Sequence, residues 1–218
     1  MEIPLWCGAR YDHLLAAYIA PRPSLSILEI GVARASTAMR MLAFADALGG
    51  RPQYTGIDPF ELNTVRSDGE SLVSDEKRPR TRAETKALLH RALGPEIASR
   101  VDLRTGYSRD VLPVLRQEGR RYDLIFIDGG HSYDDVHGDW EHCQHLLAPG
   151  GTAVLDDYPN WGVLPAVADI DRRQWRVRVL EHHDLFQAVE PSDDYPTHRR
   201  MFHLVEVTRA GGRLVATR

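Results

Sequence analysis

The chain of 218 residues predicts a single α/β domain (1–218), a Rossmann-like three-layer sandwich whose mostly parallel sheet lies between two layers of helices. Three observations predict it. Short apolar runs alternate with amphipathic stretches along the chain, as in parallel sheets covered on both faces, and they allow a roughly seven-stranded sheet. Two of the runs, Leu124–Ile127 and Thr152–Leu155, are apolar throughout and end abruptly in acid, as strands buried on both faces do. The length suits one sizeable core, with no internal repeat and no low-complexity tract.

From the N-terminus, Tyr11 to Ile19 carries Leu14, Leu15, Tyr18 and Ile19 at helical intervals and is stopped by Pro21. It reads as a short helix, lying over the ligand-binding edge or simply covering the core. Leu25–Ile30 is the first buried strand. A loop and helix follow, with Ala38, Met41, Leu42, Ala45 and Leu48 on one face and Gly49-Gly50 at the end. Gly31, at the turn from strand to helix, lets a ligand approach the backbone closely.

Gln53–Ile57 is the second strand and ends at Asp58. An acid there accepts hydrogen bonds from both hydroxyls of a ribose, or merely opens the loop before Pro59. Residues 61–82 are polar and aperiodic, so they read as a mobile lid or as a loop without function. Glu84 to Leu93 is the next helix. Val101–Arg104 is the third strand, and Ser108 is placed to cap a helix around Asp110–Leu115.

Between the two acid-ended strands, Val136, Trp140, Cys143, Leu146 and Leu147 fall at helical spacing, and Pro149-Gly150-Gly151 ends the helix. Val163 to Ile170 reads as a helix and Trp175–Leu180 as a strand. Met201–Thr208 and Arg213–Thr217 read as strands joined by a turn at Ala210-Gly211-Gly212.

Composition narrows the function. Hydrophobic content of 43%, charged content of 27% and a net charge of −4 are those of a soluble globular protein without a nucleic-acid footprint. No apolar run approaches the ~20 residues of a membrane span. The first residues lack the basic-then-apolar layout of a secretory signal. Two cysteines make no disulfide framework, so a cytoplasmic location is expected; self-association is left open.

Chemistry is expected where the strands end. In open parallel sheets ligands sit beyond the carboxyl ends of the strands, which gathers Asp128, Asp156 and Asp157 on one edge. Such carboxylates repel one another unless they hold protons or a hard divalent cation such as Mg²⁺. Neighbouring residues of a strand point to opposite faces, so Asp156 and Asp157 reach one ion together only if the chain turns at Asp156. Asp157-Tyr158-Pro159-Asn160 has turn composition. His137, His142, Cys143 and His145 do not have the spacing of a zinc site.

Four segments carry a family resemblance: EIGVARAST from Glu29, TGYS from Thr105, FIDGGHSYDD from Phe126 and LLAPGGTAVLDDY from Leu146. Together they resemble the class I S-adenosylmethionine-dependent O-methyltransferases of the metal-dependent type, most closely those that methylate sugar hydroxyls in bacterial natural products. The resemblance covers roughly Leu25 to Tyr158. It implies S-adenosylmethionine as cofactor, with Glu29, Gly31 and Thr37 around the methionine part, Asp58 at the ribose, and Ser108 and Arg109 near the adenine. Asp128 borders that site and, with Asp156 and Asp157, is implied to hold Mg²⁺ or another divalent cation. His131 is implied to take the proton of the acceptor's hydroxyl. The implied partner is a small hydroxylated molecule, and the implied sheet ends with an antiparallel strand, for which Met201–Thr208 is the candidate. The pattern departs at Ala35, where the family has glycine.

Three rivals stand beside this reading. A nicotinamide oxidoreductase would need the second and third glycines that GVARAS lacks. A noncatalytic nucleotide-binding module would have no need to gather charges that repel. A metal-independent methyltransferase would keep His131 as base with an aspartate to orient it.

Overall fold

The computed structural model describes residues 14–62, 81–180, 186–188, 199–201 and 203–211. Its elements are β1 (Ser26–Ile30), α1 (Ser36–Ala47), β2 (Gln53–Asp58), α2 (Arg82–Ala98), β3 (Val101–Thr105), α3 (Ser108–Gln117), β4 (Tyr122–Ile127), α4 (Tyr133–Cys143), β5 (Leu147–Tyr158), α5 (Val163–Ala168), β6 (Trp175–Leu180), β7 (Phe186–Ala188), β8 (Arg199–Met201) and β9 (His203–Arg209). The main sheet runs in the order β3-β2-β1-β4-β5-β9-β6, and β7 pairs with β8 separately. β3, β2, β1, β4 and β5 are mutually parallel; β9 lies antiparallel between β5 and β6. The α/β three-layer expectation, with its late antiparallel strand, is what the chain adopts.

Alternation along the strands explains the layers. In β1, Ile27 faces one core while Leu28 and Ile30 face the other. The first core takes Ala38, Met41, Leu42 and Ala45 of α1 and Leu89 and Ile97 of α2. The second takes Leu112 and Leu115 of α3, Val136, Trp140 and Cys143 of α4, and Val163, Ala166 and Val167 of α5. A strand flanked by helices on both sides must be apolar on both faces, which is why these strands read as unbroken runs.

Several boundaries differ from the sequence expectation. Met201 belongs to β8, so the antiparallel strand expected at Met201–Thr208 is β9, from His203 to Arg209. α5 ends at Ala168 rather than Ile170. α4 stops at Cys143 rather than running to Leu147, because Leu147 pairs with Tyr122 and the Tyr122 N–H takes the Leu146 carbonyl at 2.8 Å. Leucine satisfies a helical or an extended pattern equally, and sheet hydrogen bonds decide. α2 begins earlier than Glu84, where Thr81 and Glu84 form a capping box, and it is kinked at Gly94 (φ 82°) before Pro95. The N-terminal helical stretch is a π-helical turn at Leu15–Ile19. The expected lid falls almost wholly on 63–80, and the strand expected at Arg213–Thr217 also lies outside the described residues. Among the described residues no helix is long and apolar enough to cross a membrane.

Candidate functional site

Parallel order brings the ends of β1, β2, β3, β4 and β5 to one edge. At the end of β1 the chain leaves through Gly31 at φ 90°, with its N–H on the Ile57 carbonyl at 2.9 Å. A Cβ there would sit 1.9 Å from the carbonyl oxygen of Asp128, so only glycine lets the first loop lie against the β4 loop. Ala33 (φ 46°) and Ala35 (φ 59°) also adopt the left-handed region. The family's glycine at position 35 thus has a backbone reason, and this chain places alanine in the same conformation. Left-handed alanine costs about 1–2 kcal/mol, and glycine's extra chain entropy offsets about 0.5–1. Exposed Ala33 changed to glycine is therefore expected to gain about 0.5–1 kcal/mol in urea denaturation. A loss of stability would mean that the loop is not strained there.

Asp58 ties this loop to the next. Its Oδ2 accepts the Ala33 N–H at 2.8 Å and its Oδ1 the Phe60 N–H at 2.7 Å. Each carboxylate oxygen keeps a further lone pair for a ligand. Glu29 lies below the loop, 1% exposed, and accepts a hydrogen bond from the Tyr54 hydroxyl. Burial raises its pKa to about 8 against the pull of the Tyr54 bond, with the charges of Asp128 and Asp58 adding to the rise. Glu29 is thus placed beneath the site rather than lining it. Thr37 sits on the buried side of α1. Ser108 does not cap α3: Tyr107 occupies that position, with no side-chain cap bond, and Ser108 is the first residue of the helix. The Arg109 guanidinium lies 4.6 Å over the Tyr107 ring.

At the ends of β4 and β5 the structure gathers Asp128, His131 and Asp157, each offering a ligand atom within 4.8 Å of the others. The His131 Nε2 lies 3.0 Å from Asp157 Oδ2 and 3.9 Å from Asp128 Oδ1. That nitrogen is buried, and its N–H is out of line for a directed hydrogen bond, so charge is the main attraction. Asp156 is not in the group, which corrects the expectation of three aspartates. The chain turns one residue later than required, at Asp157 (φ 60°), and an Asp156 oxygen accepts the Asp157 N–H at 2.7 Å. The Asn160 N–H and side-chain amide both donate to the Asp157 carbonyl, fixing the turn. The Gly162 N–H donates to the His131 carbonyl at 2.9 Å and joins the two loops.

Burial works against charge on the His131 ring, but the neighbouring carboxylates outweigh it and hold its pKa up at about 9. The exposed Trp161 stacks on the same ring at 4.9 Å and 15°. Sequence reasoning passed over Trp161, although an aromatic in the loop after an acid pair was the available signal. It also passed over Asp139, an acid on the apolar face of α4 at the i+3 position from Val136.

These shifts set a pH dependence for the metal-free protein. His131 binds its proton more tightly when folded, so its contribution is complete below about pH 6.5 and is lost as pH rises through 9. Glu29 keeps a proton that the unfolded chain sheds above about pH 4.5, so stability falls with pH until about 8. The melting temperature of metal-free protein should therefore decline from pH 5 to 9, and Glu29→Gln should flatten the part below 8. A flat wild-type profile would contradict both assignments.

Two carboxylates with the His131 ring nitrogen within 4.8 Å form a donor set that suits a hard or borderline divalent cation. Beside it the loop at Gly31 lies so close to the backbone of Asp128 and Gly129 that no side chain can stand there. A family profile described as "Methyltransferase domain" matches residues 28–158. Among solved structures, the O-methyltransferase TomG from Streptomyces achromogenes, involved in tomaymycin synthesis and in complex with S-adenosylmethionine, is similar over 94% of this chain and 82% of its own. Its TM-score is 0.58 and its identity 19%. Precorrin-8w decarboxylase of Methanobacterium thermoautotrophicum is similar over 94% of this chain and 92% of its own, with a TM-score of 0.59 and 13% identity. An uncharacterized protein, R132, of Acanthamoeba polyphaga mimivirus is 35% identical over 71 residues, 31% of this chain; the chain spans about a third of that relative, 32%.

Proposed function

Because the chain belongs to the methyltransferase-domain family, we propose that it transfers a methyl group from S-adenosylmethionine to a hydroxyl of a small molecule, assisted by a divalent cation, in the first instance Mg²⁺. The observation that carries this reading is the Asp128, His131 and Asp157 cluster beside the Gly31 loop, at the edge where parallel sheets bind ligands. The acceptor is a sugar or a glycosylated natural product. Its support is the sequence resemblance, the similarity to a fold used in tomaymycin synthesis, and an exposed tryptophan face beside the cluster.

Each residue then has a role. The backbone at Gly31 and the buried side of Thr37 shape the methionine end. Asp58 holds the ribose with its remaining lone pairs while pinning Ala33 and Phe60. Ser108 and Arg109 flank the adenine. Glu29 supports the loop from below, against Tyr54. Asp128 and Asp157 hold the cation, and Asp156 keeps Asp157 in its turn.

When bound, the sulfonium cofactor supplies an electrophilic methyl group, and the cation lowers the pKa of a coordinated hydroxyl. His131 accepts the proton released as the C–O bond forms. A ring held at about 9 is already protonated at neutral pH, so it serves as base only once positive charge compensates Asp128 and Asp157. Base and cation site therefore work as one unit. Trp161 keeps one ring face of His131 from water and fixes its plane.

The test is turnover of S-adenosylmethionine by metal-stripped protein over a panel of sugar, catechol and polyketide alcohols, read by product mass, before and after Mg²⁺ is restored. Methylation of a hydroxyl only after restoration is expected. Full turnover without metal would leave a metal-independent methyltransferase with His131 as base. Methylation confined to amines or thiols would sink the hydroxyl assignment.

A further inference from the structure

Trp161 runs against two rules of local structure. It adopts φ 49°, a conformation unfavourable for a bulky side chain and natural to glycine, and it is 45% exposed. The other tryptophans among the described residues, Trp140 and Trp175, are 3% and 4% exposed and meet edge to face in the second core. Neither burial nor ease of turning therefore accounts for an indole at position 161, and strained positions of this kind cluster where ligands are held. The turn itself is firmly built. The Asn160 N–H reaches the Asp157 carbonyl at 2.8 Å, the Val163 N–H the Asn160 carbonyl at 3.1 Å and the Gly162 N–H the His131 carbonyl at 2.9 Å. Gly162 lies so close to the β4–α4 loop that a Cβ would stand 2.0 Å from the Tyr133 nitrogen. The backbone under the indole is thus fixed before any ligand arrives, with its ring 4.9 Å from that of His131 and 15° from parallel.

An indole is larger than the imidazole it covers, so its surface continues past the His131 ring. A ligand whose hydroxyl reaches His131 meets that surface one ring's distance away. We propose, on the reading that the acceptor's hydroxyl meets His131 and the cation, that Trp161 is a specificity residue: a preformed stacking platform for a second ring of the acceptor. The site then selects a hydroxylated ring joined to a further ring over the same hydroxylated ring alone. An aromatic ring or the C–H face of a sugar fits such a platform, because the indole face is the negative part of its quadrupole. A surface already held in place loses little freedom on binding.

Calorimetry on protein loaded with Mg²⁺ and S-adenosylhomocysteine compares two matched pairs of probes, methyl with phenyl glucopyranoside and catechol with 4-phenylcatechol. Each pair shares its neighbouring hydroxyls and differs by one ring. Wild type is expected to bind the two-ring member of at least one pair tighter by about tenfold, the worth of one ring stack with its buried area. Trp161→Gly removes the indole at a position whose φ suits glycine, so the variant should fold, and it should bring the ratio near one. Trp161→Phe should keep most of the preference. Loss of the His131 stack acts on both members of a pair alike, so a merely structural Trp161 would weaken both and keep the ratio. That result overturns the proposal, as does a wild-type ratio near one in both pairs, or binding of none of the four probes. Product mass with S-adenosylmethionine in the same mixtures tests the underlying reading apart from the platform. Preference without methyl transfer leaves the platform and sinks the transfer; transfer without preference does the reverse.

Discussion

Gly31→Ala is expected to abolish measurable binding of S-adenosylhomocysteine and to destabilise the fold. The Cβ would meet the Asp128 carbonyl oxygen at 1.9 Å and its carbon at 2.6 Å, both backbone atoms that no rotamer change can move. The φ of 90° adds a conformational penalty that a side chain brings with it. Strain of about 1–3 kcal/mol from the backbone and about 1–3 from overpacking combine to on the order of 2–6 kcal/mol. The damage also reaches the acceptor half of the site, because the atom struck belongs to the residue whose carboxylate faces His131. Urea denaturation and calorimetry read the two consequences separately. Wild-type values in both would show that the β1 loop does not lie against Asp128 when the protein works.

His131→Ala is expected to lower turnover by about 10²–10⁴, the usual contribution of a general base, while donor affinity stays near that of wild type. The separation follows from geometry: His131 contacts Asp157, Asp128 and Trp161, whereas Gly31 and Asp58 belong to the neighbouring loops. Its carbonyl still receives the Gly162 N–H in the variant, so the joined loops keep their tie. Added imidazole should restore part of the lost rate, since the vacated space lies beside the Trp161 ring. Turnover within about threefold of wild type, judged against the same general-base range, would remove His131 from the proton transfer. Asp157→Asn separates the two functions of the cluster: it should weaken Mg²⁺ binding in calorimetry, whereas loss of His131 alone should leave most of it.

The succession of buried strands along the chain and the identity of the working edge were written in the sequence. Leu124–Ile127 and Thr152–Leu155 are apolar on both faces because helices cover both, and that demand leaves its trace residue by residue. Asp58 and Asp128 stood out because each ends such a run. Gly31 stood out because a ligand-binding turn needs a residue without a side chain, although the reason it must be glycine here, the carbonyl of Asp128, comes from a strand remote in sequence. Tertiary structure alone decided which of two adjacent aspartates faces His131. Periodicity tells which face of a strand a residue occupies, but the angle at which the chain leaves the strand depends on φ 60° at Asp157 and on the bonds that Asn160 makes to its carbonyl. The charge of His131 was likewise hidden, since it depends on carboxylates brought together from separate elements. Local sequence records burial, because burial acts on each residue by itself; hydrogen bonds and pKa values belong to pairs, and only the folded chain determines which pairs meet.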